Sequence, residues 1–273
     1  MMNSCKKANS PALLLCFAPV LFTVFGVALR IINLLSFYDS YIGYYKKAFL
    51  PVAMNVFFVV AVCFFATVCF FAERKDSVDV TFTPIKTFRA ICIVCSIAIL
   101  VSTLNFLSKE STELLGLFDI LASVCSAAFF ATFISKKMPS YSAILALAPI
   151  ALSTVILATT YFDVTVQINS PNKMLIHFAC IAAMLGFLGE ARLLADGKKK
   201  KTYFFFIFSA LFFTGVSSIP ALTLYFANEF DYSYVKHDCI LFVFFLYFLG
   251  RIMSLCFYKS NCEVCDTEDS ISE

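Results

Sequence analysis

Eight apolar stretches, each about as long as a bilayer is thick, fill nearly the whole of this chain. A helix rises about 1.5 Å per residue, so about 20 apolar residues cross the hydrocarbon. The stretches lie at roughly 11–36, 48–72, 88–107, 114–135, 142–161, 174–194, 202–227 and 239–257 by this length criterion. In lipid every backbone N–H and C=O must be satisfied within the protein, so spanning segments are helices or closed barrels. Barrel strands alternate apolar and polar residues. Val56-Phe57-Phe58-Val59-Val60-Ala61 does not alternate, and the expected fold class is all-α, a polytopic integral membrane protein with eight transmembrane helices.

Composition agrees. Of 273 residues, 61% are hydrophobic and 14% charged, with a mean hydropathy of +0.87. A globular chain is about 25% charged, and one this apolar could not cover its surface with polar groups. Lys6 and Lys7 precede the first apolar run. That run exceeds the core of a signal peptide and no small-x-small cleavage site follows, so it reads as an uncleaved helix.

Charge sets the expected orientation. With the N-terminus inside, the inner basic residues are Lys6, Lys7, Arg74, Lys75, Lys86, Arg89, Lys136, Lys137, Arg192, Lys198, Lys199, Lys200, Lys201, Arg251 and Lys259. The outer ones are Lys46, Lys47, Lys109, Lys173 and Lys236. The bias predicts a multi-pass protein of the cell membrane with both termini cytoplasmic. The net charge of +3 then reflects topology, not nucleic-acid binding. The run Lys198, Lys199, Lys200, Lys201 reads as a topology anchor or a contact with anionic lipid.

The two halves resemble each other at polar punctuation points. Ala18-Pro19 aligns with Ala148-Pro149, Phe37-Tyr38-Asp39 with Tyr161-Phe162-Asp163, and Pro51-x-x-Met54 with Pro171-x-x-Met174. Glu73 aligns with Glu190, Lys86-Thr87 with Lys201-Thr202, and Asp119 with Asp238. The order is kept throughout. Independent placement of Pro, Asp and Lys at segment ends by bilayer physics is the alternative. The duplication predicts a 4+4 parallel internal repeat: residues 1–137 as one four-helix unit, 138–259 as the second, and 260–273 as an acidic disordered cytoplasmic tail. Its pseudo-two-fold axis would run along the membrane normal.

Candidate site residues follow from the cost of polarity in lipid. Ionisable groups within a span cost about 2.5–3.5 kcal/mol by insertion scales and mark function by default. Arg30, Asn55, Asn105, Asp119 and His177 fall at similar depth towards the outer side. They form a candidate substrate-binding layer, with Arg30 paired to Asp119. Separate snorkelling groups are the plainer reading. Pro19 and Pro149 are candidate kinks, each freeing the carbonyl four residues back. Arg251 lies 13 residues past Asp238, about 20 Å along a helix, and calls for a carboxylate in the inner leaflet. Glu190 is the preferred partner, as a structural ion pair. Glu73 occupies the matching place at the end of the second segment.

Other chemistry is thin. Twelve cysteines fall mostly within spans, where Cys acts as a small hydrophobe. Cys262-x-x-Cys265 is half of a zinc site with no second pair, and no metal or cofactor is expected. Phosphate loops, His-Glu-x-x-His helices and Gly-x-Ser-x-Gly elbows do not occur, so no enzyme is expected. Two functions stay open. One is a small-molecule or amphiphile permease working between the halves, with helices 1 and 5 facing each other across the axis. The other is a membrane sensor or accessory subunit that binds a membrane-protein partner. An intramembrane lipid-modifying enzyme stands third.

Overall fold

The computed structural model describes residues 10–39, 43–46, 48–72, 86–107, 114–135, 141–164, 170–196, 200–227 and 232–268. The described residues form nine helices and one small hairpin. In chain order they are α1 (Ser10–Ser36), β1 (Tyr38–Asp39), β2 (Tyr44–Tyr45), α2 (Phe49–Ala72), α3 (Lys86–Leu107) and α4 (Leu114–Thr132). Then follow α5 (Ser142–Leu145), α6 (Leu147–Phe162), α7 (Pro171–Asp196), α8 (Lys200–Phe226) and α9 (Tyr232–Glu268). Eight segments are long and apolar enough to cross a membrane, α5 and α6 counting together as one.

The first connection is not a plain loop. Tyr38 pairs with Tyr45 and Asp39 with Tyr44 in an antiparallel hairpin. Gly43 closes the turn at φ +77°, a conformation that costs glycine nothing. Its N–H donates to the Asp39 carbonyl at 2.8 Å. α9 starts at Tyr232 and runs to Glu268. It therefore takes in Asp238 at one end and, at the other, helical backbone where the sequence reading has a disordered tail from residue 260.

The two sequence-derived prolines have different settings. Pro19 lies inside the continuous α1. Pro149 lies in the first turn of α6, just past the break at Ala146, where a missing N–H costs the helix little. Pro220, which the sequence reading passed over, lies inside α8.

Packing is uneven. α8 is the hub, set against α7, α9, α1 and α2. α3 lies against α4 and α9, and α4 reaches α6. In α7, α8 and α9 respectively 61%, 72% and 61% of the span is buried, against 22% in α2. α1 joins α8 closely through glycines: a Cβ on Gly26 would sit 2.7 Å from Val216 Cγ2, and one on Gly215 2.6 Å from Thr23 Cγ2. Small residues of this kind let membrane helices approach. α1 and α6 have no substantial contact among the described residues; α6 packs on α7 and α4. Consecutive spans in the second half all pack on one another, whereas α2 and α3 of the first half have no substantial interface. The packing pattern of one half is not that of the other.

Hydroxyls inside the spans are largely handled locally. Thr23, Thr103, Ser126, Ser153, Thr214 and Ser218 each donate to the carbonyl four residues back, at 2.6–2.8 Å. This removes the cost of an unbonded hydroxyl in an apolar interior.

Candidate functional site: two buried polar clusters in the helical core

Two groups of buried polar side chains sit at opposite ends of the α7–α8–α9 core. They are separated along α9 by the 13 residues from Asp238 to Arg251, about 20 Å.

The first cluster is built around Arg30 of α1, 1% exposed. Its Nη1 donates to the carbonyls of Val216 and Ser217 at 2.6 and 2.5 Å, and its Nη2 donates to the Asn172 Oδ1 of α7. The Val216 acceptor has a direct origin in the sequence. Proline has no N–H, so Pro220 leaves the carbonyl four residues earlier, that of Val216, without its helical donor. Arg30 supplies the missing hydrogen bond from a neighbouring helix. Asp238 of α9, fully buried, accepts from Ser217 Oγ at 3.0 Å and lies within the electrostatic reach of Arg30. Its Oδ2 has no hydrogen-bond partner among the described residues.

The hairpin belongs to this cluster. Tyr45 packs edge-on against Tyr38 with ring centroids 5.6 Å apart, and its hydroxyl meets Arg30. Burial raises the pKa of that hydroxyl, while the charge and hydrogen bond of Arg30 pull the other way.

The second cluster joins all three core helices. Glu190 Oε1 of α7 accepts from Tyr203 Oη of α8 at 2.8 Å and from Arg251 Nε of α9 at 2.9 Å. Arg251 Nε also donates to Tyr203 Oη at 2.9 Å. The three side chains are 0–2% exposed. The guanidinium carbon lies 5.8 Å from the Phe88 ring centre and 6.0 Å from that of Tyr203, within cation–π range. The two opposite charges thus neutralise one another away from bulk solvent, and the phenol hydrogen-bonds to both.

The other candidate residues scatter. Asn55 is exposed on α2. Asn105 lies on α3, and its side chain is outside the described residues, as are Glu73 and the Lys198, Lys199, Lys200 and Lys201 side chains. Asp119 is half-buried on α4, and its charged neighbour is Lys236. Arg30 bonds to Asn172, two carbonyls and the Tyr45 hydroxyl, so the pairing of Arg30 with Asp119 is not the one found. His177 is half-buried against Tyr161, with ring centroids 6.5 Å apart. Among the described side chains, Arg30, Asn55, Asp119 and His177 show no contact with one another. The structure gathers Arg30 with Asn172, Ser217 and Asp238, and it brings Glu190 to Arg251.

Sequence reasoning missed Asn172, Ser217, Pro220, Asp238 and Tyr203 as site residues. Asp238 was read as the boundary of a segment starting at 239, and it lies six residues inside α9. Pro220, inside an apolar run, was the available signal for a carbonyl in need of a donor.

Between the clusters the core is made of rings. Phe187 lies 4.8 Å from Phe248, 5.0 Å from Phe244 and 5.4 Å from Tyr247, and Phe130 lies 5.0 Å from Tyr247. No family model matches this chain, and no curated protein or solved structure shows significant similarity to it.

Proposed function

We propose that this multi-pass membrane protein is an accessory or sensory module that works bound to a membrane-protein partner. The observation that supports this reading is the ring-filled interior between two charge-neutral clusters. Breaking either cluster would strand a charge in a low-dielectric core, and a carrier that alternates access must rearrange its core in every cycle. The spans of α1, α2, α3, α4 and α5–α6 are the less buried ones, α2 least of all, so they are the available surface for lipid or a partner. A permease rocking between two equal halves finds less support, because α1 and α6 are not neighbours and the halves pack differently.

The charge bias places both termini on the cytoplasmic side of the cell membrane. Lys198, Lys199, Lys200 and Lys201 then face the cytoplasmic leaflet, where a basic run meets anionic lipid or a partner's acidic segment. Arg30 lies towards the outer face and Arg251 towards the inner.

One observation favours the permease as a second reading. A proline-interrupted helix beside a buried charge, as at Pro220 and Arg30, is the kind of arrangement that lines transporter sites. Water access separates the two readings. Cys180 is buried on α7 and Thr214 on α8. A membrane-impermeant thiol reagent should react with neither Cys180 nor Thr214→Cys, each as the single cysteine in the chain. Reaction at either, from one side of sealed vesicles, shows a wet path and transfers the assignment to a permease. A photo-crosslinking side chain at Val56, 58% exposed on α2, should yield one protein adduct of defined mass in cells. Absence of any protein adduct from α2 argues against the module.

A further inference from the structure

We propose that the Glu190 cluster holds an ordered water molecule that accepts from the Tyr247 hydroxyl and donates to Glu190 Oε2. Both residues are 0% exposed. Neither Glu190 Oε2 nor Tyr247 Oη has a hydrogen-bond partner among the described residues. Buried polar atoms in native proteins are rarely left so, and an unbonded carboxylate oxygen is among the costliest exceptions.

The two groups belong to one neighbourhood. Glu190 is the foremost charge acting on Tyr247, followed by Arg251 and the buried Cys92. Tyr247 stands one turn from Arg251 on α9. Phe187, three residues before Glu190 on α7, has its ring centre 5.4 Å from that of Tyr247.

A direct bond between them is opposed by what already fixes each partner. Glu190 is held through Oε1 by Tyr203 and Arg251 at once, which sets the direction of its second oxygen. The Tyr247 ring is wedged against Phe130 at 5.0 Å, Phe88 at 5.6 Å and Phe133 at 5.8 Å. Tyr247 cannot swing towards the carboxylate without unpacking those rings, and Glu190 cannot swing towards the phenol without breaking its two hydrogen bonds. A water satisfies both, since it offers a donor to the carboxylate and a lone pair to the phenol. Internal waters take sites of this kind, polar and enclosed, with at least two protein partners. The bridged network then carries four protein side chains across α7, α8 and α9. This inference is independent of the role proposed for the protein.

Two measurements test it. An experimental structure in nanodiscs, at a resolution that shows water, should place one density peak at about 2.5–3.0 Å from both Tyr247 Oη and Glu190 Oε2. A dry gap there, or a direct Tyr247–Glu190 bond, overturns the proposal. The second arm is a double-mutant cycle in apparent melting temperature. Tyr247→Phe should lower it by roughly 2–4 °C and lower it less in a Glu190→Gln background. Equal shifts in both backgrounds mean that the phenol and the carboxylate are not bridged. The structural arm uses the unmodified chain and stands even if Glu190→Gln fails to fold.

Discussion

Glu190 and Arg251 pair as opposite charges in a core closed to bulk solvent, and each is tolerable only because the other is there. Removing one partner of a buried pair typically costs about 3–5 kcal/mol, because the remaining charge is left uncompensated. Glu190→Gln and Arg251→Gln should therefore each lower thermal stability in detergent. The double variant should lose clearly less than the sum of the two, as expected for groups in contact. Strict additivity would show that the pair contributes nothing as a pair. Tyr203→Phe deletes a donor to Glu190 and an acceptor for Arg251 without removing a charge. Its loss should be smaller, about 1–3 kcal/mol. A loss as large as that of Glu190→Gln would make the phenol as important to the cluster as the carboxylate and overturn this ranking. These residues were partly legible beforehand. Arg251 is too far from the end of its helix to reach the surface, and a carboxylate at matching depth on another span was the natural partner. The phenol was not legible, because nothing in a Phe- and Tyr-rich helix marks which ring faces the pair.

At the scale of the element, α8 shows how a local defect is repaired from outside. Pro220 removes one helical hydrogen bond, and Arg30 of α1 replaces it at the Val216 carbonyl. Arg30→Gln should destabilise the fold, because the shorter amide cannot serve the same acceptors. Pro220→Ala restores an N–H to the Val216 carbonyl, so Arg30→Gln/Pro220→Ala should melt above Arg30→Gln alone. A double variant less stable than Arg30→Gln would show that Arg30 is not the substitute donor. The α1–α8 contact gives a second test. Gly215→Ala places a methyl 2.6 Å from Thr23 Cγ2 and 2.8 Å from Phe245 Cδ2. Overpacking of this kind costs about 1–3 kcal/mol, and a thermal melt unchanged from the parent chain would mean that α1 is free to move away. The partner of Pro220 was unreadable in sequence, since Arg30 lies 186 residues from Val216 and no local rule joins them.

For the whole molecule, topology is the property to settle first. The charge bias puts the α6–α7 connection outside and the α4–α5 connection inside. Val164 is 94% exposed after α6, and Ser135 is exposed after α4. On a cysteine-free chain, Val164→Cys should react with an impermeant thiol reagent in intact cells, and Ser135→Cys only after permeabilisation. The reverse pattern would invert the orientation and exchange the leaflets of the two clusters. The same asymmetry bears on the duplication. Bilayer physics alone puts Pro, Asp and Lys at helix ends in any polytopic chain, so aligned punctuation in two halves constrains their packing very little.

The sequence by itself determined the helical membrane class, the number of spans and most of their bounds. Lipid offers the backbone no hydrogen-bonding partner, so an apolar run of sufficient length has one economical conformation. It also marked Glu190, Arg251 and Arg30 as residues that must be compensated, because charge at membrane depth is costly wherever it lies. Tertiary structure alone decided which groups do the compensating. Apolar helices of similar composition can pack in many orders, since lipid tails are as apolar as the side chains and give no hydrophobic drive to a particular neighbour. The choice fell to close approach at Gly26 and Gly215, the interlocking of Phe187 with Phe244 and Phe248, and the directional demands of a few polar atoms. Those made α8 the hub, set Arg30 beside Ser217 and Asp238, and left α1 and α6 apart.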